Sequence, residues 1–407
     1  MSRGRGFDIT SPATSCHDGA MTEDPQPLFH THTHDGWTHT HVFPEAQTAP
    51  AEDLRIRGVV LPDGEERELW VHDGVLVQGP LPGARTLADG CWIIPGLVDA
   101  HNHIGLDTHG AVDEQTAEEQ ARIETRTGTL LIRDAGSPSD THWIDDRDDL
   151  PRVIRAGRHI ARPKRYIRNY AAEVDSEDLV AEVDRQARSG DGWVKLVGDW
   201  IDRDEGDLAP LWPTDIAKAA IDHAHKLGAR VTAHCFSEEA PAQLVDAGID
   251  CIEHGTGLTD ETIATMAERG VGLVPTLINI ETFPSIAAQA DGKFPTYAAH
   301  MRHLHAHRRE TIAKACDAGV PIYAGTDAGG TIKHGLIASE VRLLAAVGGA
   351  EMALGAASWR ARVWLGGEQL DIGDSADLLV LDRDPRVDVG VLESPIYILL
   401  RGRVVIR

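Results

Sequence analysis

Residues 93–350 alternate between short, nearly continuous apolar runs and helical patterns, and this alternation restricts the fold more than any other feature. A run that is apolar throughout suits a strand covered on both faces, as in a parallel sheet flanked by helices. Eight such runs are expected as strands: 93–106, 128–136, 152–160, 192–200, 229–236, 250–257, 271–277 and 320–329. Between them lie helical segments such as SEDLVAEVDRQARSG and PTDIAKAAIDHAHKLG, and several close on Gly, the usual left-handed helix terminator. Strands and helices in this order predict an α/β chain whose central unit, residues 93–350, is a closed parallel (β/α)8 TIM barrel.

The flanks read differently. LRIRGVVLPDG, RELWVHDGVLV and ARTLADGCWIIPG precede the barrel, and ADLLVLD, YILLRG and RVVIR follow it. These short β-branched runs, separated by turn residues, predict a small β-sandwich-like domain assembled from both chain ends, 53–92 and 351–407. Residues 1–52 are rich in Ser, Thr, Pro, Gly and His without apolar periodicity, and are expected to form a disordered extension. Met21 within it offers a second start position. The segment contains HTHTHDGWTHTH, with His30, His32, His34, His39 and His41, read either as a metal-scavenging tail or, more simply, as a flexible linker. A second group, His300, His303, His305 and His307, falls in a helical pattern and reads as a solvated helix face.

Bulk properties narrow the function. The 407 residues carry a formal net charge of -25, which repels phosphate backbones and argues against nucleic acid as a partner. No apolar run approaches the ~18 residues of a membrane span, and the N-terminus lacks the apolar core of a secretory signal. The cysteines Cys16, Cys91, Cys235, Cys251 and Cys316 are scattered and odd in number, which suits a reducing cytoplasm. A soluble cytoplasmic protein acting on a small molecule is the expectation, with homo-oligomer formation left open.

The candidate chemistry sits at expected strand ends. His101 and His103 are two residues apart at the end of the first strand, so both rings point the same way. Lys195, His234, His254 and Asp327 each fall near the C-terminal end of a different strand, where the sites of such barrels gather. Imidazole and carboxylate groups converging there suit zinc or a similar divalent ion. Only seven lysines occur in the chain, and Lys195 lies in the apolar run GWVKLVGD. A buried ammonium beside metal ions is strongly disfavoured. Reaction with CO₂ would convert it to a carbamate, an anion able to bridge two metals.

PGLVDAHNHIGL, the lysine in WVKLVGD, the histidines in VTAHCF and CIEHGTG, the aspartate in AGTDAGG, and the tail GDSADLLVLDRDP with RGRVV together resemble the amidohydrolase superfamily from about residue 53 onward. The gaps of 39, 20 and 73 residues between Lys195, His234, His254 and Asp327, with RDAG at 133–136, are most similar to the imidazolonepropionase and Xaa-Pro dipeptidase branch. The resemblance implies a binuclear centre. His101, His103 and Asp327 would hold one ion, His234 and His254 the other, and carbamylated Lys195 would bridge them. Two departures stand out: the stretch between His103 and Lys195 is short for dipeptidase-like members, and Phe236 stands where they often place Tyr.

The expected activity is hydrolysis of an amide or other C–N bond by a metal-bridging hydroxide, with Asp327 carrying the proton to the leaving nitrogen. Two other classes compete. A mononuclear heterocycle deaminase would show His-x-x-Glu after the fifth strand, where this chain has Ser237 followed by Glu238 and Glu239. A non-catalytic binding member would lose ligands, and none is missing. Substrate contacts are expected among Asp107, His109, Arg133, Arg165, Tyr166, Trp200, Ile278, Asn279, Thr282 and His334.

Overall fold

The computed structural model describes residues 28–34, 37–43 and 52–405, in two units divided between Gln47 and Thr48. In the first unit, the strands Leu28–His34 and Trp37–Phe43 pair antiparallel, with His30 opposite His41 and His32 opposite His39. This ladder falls inside the segment expected to lack regular structure. Its sequence basis is the alternation of β-branched Thr with His on either side of Asp-Gly, the dipeptide favoured in two-residue hairpin loops. The rest of the expected extension lies outside the described residues.

The second unit contains a seven-stranded sheet drawn from both sides of the large core. Its order is 403–404, 397–400, 378–381, 85–95, 54–60, 65–72 and 75–77. The Leu54–Val60 strand alternates buried and more exposed residues, and Leu54, Ile56 and Val60 pack with Val71, Ile93, Leu378, Val380 and Leu399. The C-terminal part begins later than its expected boundary. Ala350–Ala357 and Trp359–Leu365 are helices, and Ala353, Leu354, Ala356 and Ala357 pack into the large core instead.

The central strands are parallel, and several, such as Leu97–Asn102, Thr129–Asp134 and Trp193–Val197, are buried at every residue. Among the described residues, strand pairing does not close the (β/α)8 barrel expected from the sequence. The strands fall into a three-stranded sheet, ordered 152–155, 129–134 and 97–102, and a six-stranded sheet, ordered 172–173, 160–161, 193–197, 230–235, 251–254 and 272–274. Two breaks explain this. The expected 152–160 strand is interrupted at Gly157, whose φ is +69°. The expected 320–329 strand is not a ladder strand, because Asp327 and Gly329 have φ of 61° and 128°, incompatible with extended pairing. That segment makes single bridges, Ile322 to Leu273 and Ala328 to Asn102, one to each sheet.

Candidate metal centre

The strand Leu97–Asn102 delivers His101 at its end and His103 just beyond it. Their Nε2 atoms lie 3.2 Å apart. Asp327 is brought to them by the backbone: its N–H donates to the His101 carbonyl at 2.7 Å, and the His103 N–H donates to Ala328 at 2.9 Å. Asp99 pins this crossing from beneath by accepting from the N–H of His101 and from the N–H and hydroxyl of Thr326. Asp327 Oδ1 then sits 3.0 Å from His103 Nε2 and 3.1 Å from His101 Nε2.

His234 is the penultimate residue of the strand Arg230–Cys235 and His254 the last of its neighbour Cys251–His254, with His254 Nε2 3.0 Å from His234 Nδ1. Successive residues of a strand normally face opposite ways. Here His254 has φ of +66°, a conformation rarely adopted by a residue with a side chain, and this turns it toward the same interior that Glu253 faces. Thr276 (φ 49°), whose hydroxyl lies 2.7 Å from His254 Nδ1, and Asp327 (φ 61°) are held in the same region. Three left-handed non-glycine residues around one point mark where the fold gives up local comfort to aim side chains.

All six residues expected from the sequence surround this point, and five of them, His101, His103, Lys195, His234 and His254, are buried. His101, His103 and Asp327 bring ligand atoms within 3.2 Å of one another, and His101, His254 and Asp327 form a wider group within 4.8 Å. His234 and His254 form the other close pair, at 3.0 Å, so the short contacts run within the two ligand sets that the resemblance implied and the wider group links them. His103 Nδ1 lies 2.6 Å from the Gly136 carbonyl. A carbonyl only accepts, so the proton is on Nδ1 and the Nε2 lone pair faces the centre.

Two residues that the sequence reading missed complete the surroundings. Glu253, fully buried, lies with Oε2 3.1 Å from Lys195 Nζ and in contact with His101 Nδ1, while Oε1 accepts from Arg133 Nη2 at 2.7 Å and from the Thr232 hydroxyl. The Lys195 contact is an ion pair without hydrogen-bond geometry. His159 is 1% exposed, its ring 5.0 Å from that of His103, and neither nitrogen has a hydrogen-bond partner among the described residues. Each had a signal: Glu253 directly precedes a chosen histidine, and His159 lies at the end of the expected third strand.

Burial dominates the electrostatics. It pushes His101, His254 and His159 well below the usual imidazole range and His234 down to about 3. It also brings Lys195 down to about 7, against the pull of the Asp327 charge. Burial opposes ionisation of Asp327, yet His101 and the bond to His103 hold its carboxyl well below the usual range. Neutral imidazoles beside an ionised carboxylate are the protonation states that a metal requires. The donor set fits a cation in a second way. Ring nitrogens approach one another at 3.0–3.2 Å, and His234 Nε2 is buried with no hydrogen-bond partner among the described residues.

The expected substrate contacts are redistributed. Tyr166 and Trp200 stand beside His234, their ring centroids 5.6 and 5.4 Å from its own. Arg133 lies beneath the centre, fully buried against Glu253 and the Ala100 carbonyl, so it is a support and not a substrate contact. Arg165 is tied to Asp202, and His334 to Glu124 at 3.0 Å. Asp107 accepts from the His109 N–H, and the Ile278 N–H donates to Glu340. Asn279 and Thr282 bond to each other across one turn. Nor is His300 merely solvated: it pairs with Asp207 at 2.9 Å and Glu238 at 3.1 Å.

Comparison with known proteins agrees with this architecture. An uncharacterised protein of Mycobacterium tuberculosis is 60% identical over 352 residues, covering 86% of this chain and 95% of its own. A prolidase solved with N-methylphosphonate-L-proline superposes with a TM-score of 0.74 at 23% identity, over 87% of this chain and 100% of the other. The ochratoxinase of Aspergillus niger superposes with a TM-score of 0.70 at 19% identity, over 87% and 96% respectively. At these identities the two structures establish a shared fold. The amidohydrolase family profile matches residues 92–407, from the strand before His101 to the C-terminus. The chain belongs to the amidohydrolase family, enzymes that hydrolyse carbon–nitrogen bonds.

Proposed function

We propose that this enzyme hydrolyses an amide or closely related C–N bond at a centre of two divalent ions, zinc being the metal best suited to the donors. The observation that carries the reading is the convergence of buried His101, His103, Lys195, His234 and His254 with Asp327, their ring nitrogens 3.0–3.2 Å apart. His101, His103 and Asp327 would hold one ion and His234 and His254 the other, with Lys195 between them. Bound there, the ions would acidify a water to hydroxide near neutral pH and polarise the scissile carbonyl.

The protein's own groups do the rest. A lysine near 7 presents a substantial fraction of free amine at neutral pH. That amine adds to CO₂, forming a nitrogen–carbon bond and releasing one proton, and the resulting carbamate is an anion suited to bridging. Asp327 remains a carboxylate, able to accept the proton of the attacking water and pass it to the leaving nitrogen. His159, buried with its ring 5.0 Å from that of His103, would donate a hydrogen bond to the substrate oxygen. The deaminase alternative finds no support: Ser237 bonds Asp199 and Glu238 pairs with His300, so neither supplies the proton-handling carboxylate that reaction uses.

Elemental analysis of protein expressed with ample zinc and bicarbonate tests the reading. Close to two ions per chain are expected, because six ligands surround the centre. Saturation at a single ion would overturn the binuclear site.

A further inference from the structure

The proposed centre is open toward aromatic side chains. Phe236, two residues after His234, lies 4.2 Å from its ring between centroids and is 5% exposed. Phe283 backs it at 4.7 Å and is fully buried. Tyr166 and Trp200 meet edge-on at 4.8 Å, and both are only partly buried although each ring contacts buried His234. Three aromatic rings from separate segments thus contact His234, and two of them, Tyr166 and Trp200, are only partly buried.

The charged groups near this wall are already engaged. Arg165, next to Tyr166, gives one nitrogen to Asp202 at 2.6 Å and another to the carbonyls of Trp200 and Ala209 at 3.2 Å. Asp199, next to Trp200, accepts from the N–H groups of Phe236 and Ser237 and from the Ser237 hydroxyl. Lys195 and Arg133 both face Glu253. A wall of partly uncovered rings with its neighbouring charges neutralised gains by covering apolar surface and offers no counter-ion to a charged group.

We propose that this wall is an acyl subsite, and that the enzyme's substrates are amides whose acyl side carries a flat, uncharged aromatic or similarly apolar group. The assignment rests on the hydrolase reading above. Asp327 lies against His101 and His103 while the rings lie against His234, so we assign the leaving nitrogen to the Asp327 side and the acyl substituent to the His234 side. Aromatic faces and edges favour stacked or edge-on partners over branched aliphatic ones. Hydrolysis then consumes one water, breaks the C–N bond, and releases an aromatic carboxylate and an amine.

The test uses the full-length, zinc-loaded protein and three neutral-amine substrates: N-acetylglycinamide, N-benzoylglycinamide and N-(4-carboxybenzoyl)glycinamide. Release of glycinamide is the readout. The benzoyl compound should exceed the acetyl compound in kcat/KM by at least about tenfold, the scale on which an apolar pocket discriminates. The carboxylated ring should lose that advantage, and Trp200→Ala should lower the benzoyl-to-acetyl ratio severalfold. Equal rates for acetyl and benzoyl would overturn the subsite while leaving the hydrolase reading standing. Release from none of the three would count against the hydrolase reading, and binding then decides the subsite. Saturation-transfer NMR should show benzamide bound and acetamide not, with the benzamide signal weakened in Trp200→Ala. No benzamide signal, or one unchanged in the variant, would overturn it.

Discussion

Two histidine-rich regions of the same chain behave in opposite ways. His101, His234 and His254 stand at or near strand ends, and burial outweighs the pull of the Asp327 carboxylate and drives them neutral. His300, on the helix Pro295–Asp317, is partly buried too, but bonds to Glu238 and Asp207 raise it to about 9. The first set presents lone pairs, the second a positive charge. Histidine content therefore does not identify a metal site. What distinguishes one is burial combined with the convergence of several ring nitrogens on one another. Residues Arg302–Asp291 and Arg308–Glu281 continue the second pattern along the same helix, whose exposed face is laced with ion pairs.

The comparison breaks most sharply at Lys195. Lys195→Ala is expected to lose both metal and activity, because a bridging anion holds both ions. Small acids such as acetate or propionate should restore part of the activity by occupying the vacated space. A lysine with a structural role alone predicts near-normal metal content, no rescue, and a stability loss of about 1–3 kcal/mol from unsatisfied partners. Metal analysis with and without propionate separates the two.

Asp327 comes next. Asp327→Asn preserves size but removes the proton acceptor, and loss of a general base typically lowers rate by about 10²–10⁴. Metal content should fall less than in Lys195→Ala. Wild-type kcat on a confirmed substrate would show that Asp327 is not the proton carrier.

Much of this centre was legible before any coordinates, and for a specific reason. Two-residue spacing at a strand end fixes the side of His101 and His103, and a lysine in an apolar run is chemically conspicuous. Glu253 was not legible, because alternation places it opposite His254 and only the left-handed φ of 66° brings both to one interior. The break in strand pairing was hidden for a related reason. AGTDAG looks like a strand by apolar content, yet Asp327 must leave the extended region to reach His101 and His103. The hairpin at 28–43 was passed over because its strands have no apolar alternation, although Asp-Gly between two β-branched stretches was visible.

Glu253 gives an intermediate effect. It touches His101 and Lys195 from behind and is itself fixed by Arg133 and Thr232. Glu253→Gln keeps the shape but weakens the acceptor that orients His101, and outer partners of this kind typically change metal affinity by about 10–100-fold. Competition with a chelator of known affinity measures it. Glu253→Asp should recover part of the loss, and an unchanged metal affinity in Glu253→Gln would reduce the carboxylate to packing.

The smallest effect belongs to the other histidine region. His300 lies on one helix and meets Asp207 from the Asp207–Pro210 strand and Glu238 at the start of the helix Glu239–Ala247, so its charge ties three elements together. Its pKa is raised from 6.5 to about 9, first by the bond to Glu238 and then by Asp207, against the cost of burial. A group raised on folding contributes its full stabilisation below the unfolded value and loses it as pH climbs through the folded one. Stability from this tie should thus be complete below about pH 6.5 and fade toward pH 9 and above. Because the pair partners are partly solvated, the shift in Tm is expected to be small, about 2 °C in a chain of this size. His300→Gln should remove that share of the decline between pH 7 and 10. His307→Gln, at a ring that donates to a carbonyl of its own helix, should not. Identical pH–Tm curves for the wild type and His300→Gln would show that the ion pairs around His300 hold nothing together, and the contrast with the buried strand-end histidines would then rest on the metal centre alone.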